Sequence, residues 1–277
     1  MCTLFLLLGR ARERIAIPRL VDTGVEIVLW LGACATFVCM VSAAEGVFLD
    51  AIGIRGIGLW TGMVFALWSV FPGKWADIAN SVTVPVLCLL TIVVAVGSPL
   101  PVQGRIDGIS AFQYCAMNIL LGGYVVSDAG RSLTVRQCVG AGICTAVAMS
   151  ILLICVYATA SQYPHAAMPV LAFATSHGKK AVCAVVIYLA VCTTMAGSGS
   201  MIATRVKSTR VGQIGAVLLL SALAMTGSAS DFAQFVRTWY PRMGYLGIGY
   251  VAYALLVCLV AAVSYRKVHA ARHAFLQ

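Results

Sequence analysis

Few side chains in this sequence could do chemistry, and they fall into three groups. The first lies in GISAFQYCAMNILLGGYVVSD, residues 108–128, where Gln113, Tyr114 and Asn118 interrupt an apolar run and Gly122 and Gly123 follow. Tyr114 and Asn118 are four apart and so share one face of a helix. Each glycine lowers helix propensity by about 1 kcal/mol, so the pair marks a place where the helix could break. A break would offer backbone amides and carbonyls to a ligand, as discontinuous membrane helices do. The other reading is that small residues admit a neighbouring helix and Asn118 bonds across that interface. The concentration of polar groups favours a helix lining a cavity, with Gln113, Tyr114, Asn118, Gly122 and Gly123 as its binding residues.

The second group is in CTTMAGSGSMIATR, where Thr193, Thr194, Ser198 and Ser200 bring four hydroxyls close together. Hydroxyl oxygens suit a hard cation such as sodium when backbone carbonyls join them. Thr193, Thr194 and Ser198 therefore form a candidate sodium site. The alternative is that each hydroxyl bonds to a carbonyl one turn back in its own helix. The third group is acidic. Glu26 and Glu45 are nineteen residues apart, which is about 28 Å along a helix, so they cannot act as a pair. Glu26 reads as an interfacial residue near Asp22 and several arginines. Glu45 is a candidate gate near the outer surface, weighed against a solvated helix end.

Enzyme chemistry finds little support. There is no HExxH and no GxxxxGK[ST] loop, so neither a zinc protease nor nucleotide-driven transport is indicated. The four histidines all fall outside the apolar runs, which leaves Ser198 without a base. Eleven cysteines lie mostly inside apolar segments with no CxxC, and there they act as small hydrophobes. The chain reads as a non-enzyme that needs no cofactor other than, at most, a sodium ion.

These residues must be positioned by membrane helices. Hydrophobic residues make up 61% of the chain and charged residues 10%, and the mean hydropathy of +0.96 lies outside the soluble range. Apolar runs divided by charged or turn-rich breaks predict eight spans, at about 23–49, 56–72, 79–99, 108–128, 137–160, 179–203, 211–229 and 243–265. Helices are required because an open sheet edge in lipid leaves backbone groups unsatisfied. The net charge of +10 reflects basic residues gathered between spans. With the loops numbered alternately, thirteen Lys and Arg fall on one side and six on the other. By the positive-inside rule that asymmetry places both termini in the cytoplasm of a multi-pass protein of the cell membrane. Nothing indicates a nucleic-acid partner.

Two segments stand outside this scheme. MCTLFLLL is too short to span and lacks the features of a signal peptide; it reads as the tail of a longer helix, in a product that was or is longer. The fifth-to-sixth connection, 161–178, has an apolar middle that predicts a short helix over the outer face near 164–177, started by Pro164 or Pro169.

The order of these features resembles the YkvI-type membrane proteins: a helix with Tyr114-x-x-x-Asn118, a short outer helix, and a later span with Thr193-Thr194. That family is a branch of the amino acid/polyamine/organocation transporters with the LeuT-like fold. The resemblance implies an all-α bundle in which the eight spans match the family's third to tenth helices. It implies that 108–128 unwinds beside a substrate held by Tyr114, Asn118, Gly122 and Gly123, and that Thr193 and Thr194 face a cation. The fold's broken first helix has no counterpart here, and Met1–Leu8 resembles the end of its second. The implied function is cation-coupled secondary transport of a small polar solute, an amino acid or related compound, by an incomplete or degenerate chain. The alternative is a non-transporting helical membrane subunit or sensor.

Overall fold

The computed structural model describes residues 1–13, 15, 17–68, 73–99, 108–163, 165–166, 168–206, 209–228 and 232–275. Their regular structure is helical throughout: α1 (Cys2–Arg12), α2 (Arg19–Ile52), α3 (Ile57–Trp68), α4 (Gly73–Ala95), α5 (Gly108–Gly130), α6 (Val135–Ala160), α7 (Pro169–Ser176), α8 (Lys180–Arg205), α9 (Arg210–Ser228) and α10 (Phe232–Phe275). Four of these contain segments long and apolar enough to cross a membrane: Arg19–Ile52, Val135–Ala160, Lys180–Ala203 and Arg242–Ser264. Every span expected from the sequence has a helix beneath it. The weakest match is α3, whose 12 residues cover only part of the expected 56–72. Residues 69–72, with Arg14, Arg105, Pro164 and Lys207, lie outside the described residues.

The helix over the outer connection is α7. It starts at Pro169, which presets the backbone dihedral and lacks an amide the first turn could not use. It stops at Gly178, whose φ of +70° is the left-handed turn that closes helices. The expected 164–177 was too generous at its N-terminal end.

The chain divides into two compact units. In the first, formed by 1–29, 107–147 and 239–277, α1 lies along α5 at a distance only glycine allows. A Cβ on Gly9 would collide with the Ser127 carbonyl, and one on Gly130 with the backbone of Leu6. Gly142 of α6 meets Thr3 in the same way, and Gly247 of α10 meets Ala116. Such contacts are how membrane helices associate, since burial in lipid offers no hydrophobic gain and close backbone packing must supply the attraction. Phe5 and Leu8 are fully buried as a result, and Phe5 packs against Tyr250 with ring centroids 4.8 Å apart.

The second unit, 30–106 and 148–238, is gathered on α8, against which α3, α4, α7 and α9 pack. Here Gly62 of α3 faces Ser221 of α9 closely enough that a Cβ would lie 2.6 Å from its Oγ. The Tyr188 hydroxyl of α8 donates to Thr61 Oγ1 at 2.8 Å, while Thr61 donates to its own helix at Ile57. Lys179 reaches the end of α4 and donates to the carbonyls of Val93, Val94 and Val96 at 2.9–3.3 Å. Val93 and Val94 lie in the last turn of α4 and Val96 just beyond it, where carbonyls lack a helical partner and a lysine satisfies them in charge and geometry.

Candidate functional site

The first unit contains a cavity of about 360 Å³ between the start of α2, α5 and α10. Its walls are Val21, Gly24, Val25, Val28 and Leu29 from α2, Leu120 from α5, and Tyr245, Leu246, Gly249, Tyr250 and Tyr253 from α10. On α2 and α10 the spacing of three to four residues presents one helical stripe to the space. Two glycines help to create it, because a Cβ at Gly24 or Gly249 would meet nothing within 4 Å. The volume is at the lower end of small-molecule sites.

Polar chemistry in this cavity comes from phenols. Tyr250 and Tyr253 stack nearly parallel at 6.2 Å, so their hydroxyls mark one wall. The Tyr253 oxygen is buried and has no hydrogen-bond partner among the described residues. An unsatisfied buried hydroxyl costs free energy, and because this oxygen is shielded from solvent, a small shift of the Tyr253 ring is needed before an acceptor in the cavity can pair with it. Next to Val21 on α2, Asp22 accepts an ion-paired hydrogen bond from Arg12. Burial is the largest single influence and works against the Arg12 charge, but the Asp22 carboxylate, its hydrogen bond and the nearby Tyr253 and Tyr250 together hold the guanidinium above its ordinary pKa. A site with apolar walls, a shielded but unpartnered phenol and a neighbouring ion pair suits a small ligand with an apolar body and one polar end.

The residues singled out from the sequence fall in several places. The helix α5 is continuous from Gly108 to Gly130, so the expected break at Gly122–Gly123 does not occur. The physical reason is packing. Gly123 is buried, and a Cβ there would lie 2.9 Å from Tyr250 and 3.2 Å from Phe5, so the glycine serves close approach by α1 and α10. Gly122, about 100° further round the helix, faces open space, and Asn118, one turn earlier, is exposed. Gln113 is half-buried against Gly244 of α10. Of Tyr114 only the helical backbone is described. Gln113, Asn118, Gly122 and Gly123 therefore do not converge; among the described residues it is Leu120, which the sequence did not single out, that α5 contributes to the cavity.

In the second unit, α8 is likewise continuous through the hydroxyl cluster. Thr193 and Thr194 both donate to the Ala190 carbonyl, at 2.9 and 2.8 Å, and Ser198 donates to the Thr194 carbonyl at 2.8 Å. Backbone carbonyls freed by an unwound helix, the other half of a sodium site, are not offered there. No cluster of three or more His, Cys, Asp or Glu suited to a metal occurs among the described residues. Glu45 closes a helix end, its two oxygens accepting from the amides of Gly56 and Gly58 at 2.7 and 2.8 Å. A carboxylate from α2 thus caps the N-terminus of α3, satisfying orphan amides at the positive end of the helix dipole.

The sequence reading missed the tyrosines of α10, the cavity glycines, and Lys179. The available signal was Tyr245-x4-Tyr250-x2-Tyr253 with Gly249 between them, an aromatic helical stripe that also reads as ordinary core. No protein-family model, curated protein or solved structure matches the chain.

Proposed function

We propose that this chain is a multi-pass protein of the cell membrane that binds a small solute in the α2–α5–α10 cavity and carries it as a cation-coupled secondary transporter. What supports binding is one observation above others: an apolar cavity of about 360 Å³ whose buried Tyr253 hydroxyl lacks a partner among the described residues. The solute is a small amphipathic one, such as an amino acid or related compound, with its apolar part along Val25, Val28 and Leu246. The resemblance to the YkvI-type branch, with a LeuT-like arrangement of eight crossings, is the source of the transport step. On this reading Thr193, Thr194 and Ser198 keep lone pairs for a cation while donating their protons to the helix.

A second reading is a non-transporting subunit or sensor built on the same bundle. It draws on the unbroken α5 and α8, which leave no unwound backbone at either candidate site. One experiment separates the two. The full chain is reconstituted in proteoliposomes, and uptake of a panel of labelled amino acids is followed with and without a sodium or proton gradient. Transport predicts gradient-dependent uptake of at least one solute, lost in Gly249→Leu because the side chain fills a space now empty. Uptake unaffected by Gly249→Leu would place the site elsewhere. Absence of uptake across the panel, with a second membrane protein copurifying, would favour the subunit.

A further inference from the structure

Basic side chains converge at one end of the first unit, where α1 stops and α5 turns into α6. Arg10, in the last turn of α1, donates to the carbonyl of Leu133 in that turn. This places the end of α1 against residues flanked by Arg131 and Arg136. The turn is held firmly. Thr134 and Gln137 form a reciprocal cap at the start of α6, with Thr134 N donating to Gln137 Oε1 at 2.8 Å and Gln137 N to Thr134 Oγ1 at 3.3 Å. Glycine contacts fix α1 on α5 just before it. Arg131 is half exposed and meets Asp128 at 3.4 Å, a separation at which an exposed pair contributes little. Arg136 is exposed and has no salt-bridge partner among the described residues. Arg10 keeps a buried Nε without a hydrogen-bond partner among them. Arg10, Arg131 and Arg136 thus stand at this corner with two acids, Asp128 and the exposed Glu13 that follows α1, which leaves a small local excess of positive charge.

Below these arginines the surface turns apolar. Val135, Val139 and Ile143 are 51%, 41% and 59% exposed and, at intervals of four, form one stripe along α6. One turn on from Arg136, Gly140 carries no side chain, and a Cβ there would meet nothing within 4 Å. The result is a shallow groove under a basic rim. A free phosphate would need only the rim. An anionic amphiphile uses both parts.

The geometry points to a binding site for an anionic phospholipid at the α1–α5–α6 corner, its phosphate on Arg131 and Arg136 and an acyl chain along Val135, Val139 and Ile143. The thirteen-to-six distribution of positive charge puts this corner on the cytoplasmic side, the side whose leaflet attracts basic segments. Guanidinium groups bind phosphate oxygens in pairs, which gives the contact geometry as well as charge. The site is independent of the solute cavity, and its test does not depend on transport.

The test uses the purified full chain in neutral detergent, with phosphatidylglycerol, phosphatidylcholine or inorganic phosphate added. Thermal unfolding reports stabilisation, and native mass spectrometry counts bound lipid. Phosphatidylglycerol raises the midpoint and is retained in preference to phosphatidylcholine; a basic residue near an anionic surface is worth about fivefold in affinity, so the preference falls by more than tenfold in Arg131→Gln/Arg136→Gln. Arg136→Lys keeps the charge but not the paired hydrogen bonds and so retains a preference between those of the unaltered protein and the double variant, which separates lost charge from a misfolded variant. Equal retention of phosphatidylcholine by the unaltered protein would overturn the proposal, as would an undiminished preference in the double variant. Inorganic phosphate matching the effect of phosphatidylglycerol would overturn it too, since the apolar groove would then do nothing.

Discussion

Glu45 holds one backbone amide with each carboxylate oxygen, and that arrangement decides what its substitution does. Glu45→Ala removes both acceptors and leaves the Gly56 and Gly58 amides unpaired at the positive end of α3. Loss of such a cap costs about 1–2 kcal/mol. Glu45→Gln keeps one oxygen acceptor but gives up the charge that favours a helix N-terminus, so the loss should be about half as large. Unfolding midpoints of the two variants in detergent should rank unaltered protein, then Gln, then Ala. A gate would behave differently: both substitutions would alter the response to solute or ion while stability held. The sequence shows an acid near the end of a long apolar run. It does not show that amides eleven and thirteen residues later turn back onto that acid, because the turn depends on Gly53 and Gly56 adopting positive φ. The hydroxyls of α8 are a contrasting case, since a bond to a carbonyl one turn back needs only the helix itself, and that alternative was readable from the spacing of Thr194 and Ser198.

At the scale of the helix, α5 carries two adjacent glycines with opposite surroundings. Gly123 is wedged between Tyr250 and Phe5, whereas Gly122 faces open space. Gly122→Ala therefore gains helix propensity without a clash and should stabilise the protein by up to about 1 kcal/mol. Gly123→Ala forces two buried rings apart and should destabilise it by about 1–3 kcal/mol. Chemical or thermal unfolding of the two variants side by side checks the opposite signs. A loss of stability in Gly122→Ala would mean that α5 does unwind there, as the resemblance implied. The double glycine was visible in the sequence as a departure from a lipid-facing helix. Which of its two functions it serves was not, because the answer lies in Phe5 and Tyr250, more than a hundred residues away on either side. The positions of the helices were legible for a simpler reason: an apolar run flanked by charge has no other way to satisfy its backbone in lipid. The fate of MCTLFLLL was not legible, since its burial rests on glycines of α5 and α6 rather than on its own length.

Among the described residues, four of the eight predicted spans lie outside the helices long and apolar enough to cross, those of α3, α4, α5 and α9, and charge can be asked about the shortest of them, α3. Its 12 residues rise about 18 Å, well short of the roughly 30 Å hydrocarbon core. The apolar run predicted at 56–72 reaches seventeen residues, the lower limit for a span. Charge gives an independent answer through parity. If α3 crosses, along with the seven other predicted spans, the basic residues divide thirteen to six. If α3 does not cross, every later loop changes side and the division becomes nine to ten with the N-terminus inside. Such an even split would give the chain no orienting signal, whereas thirteen to six is a strong one. The chain should therefore cross eight times, with residue 277 in the cytoplasm and the 161–168 connection outside. Reporter fusions at these two places, one active only in the cytoplasm and one only outside it, distinguish the alternatives. Seven crossings would exchange both signals, placing residue 277 outside and 161–168 within, and would also move the arginine corner of α1, α5 and α6 to the face where anionic headgroups are scarcer. Topology and lipid preference thus stand on the same parity, and a C-terminal reporter found outside would remove the leaflet argument for the lipid site while leaving its local geometry to be tested in detergent.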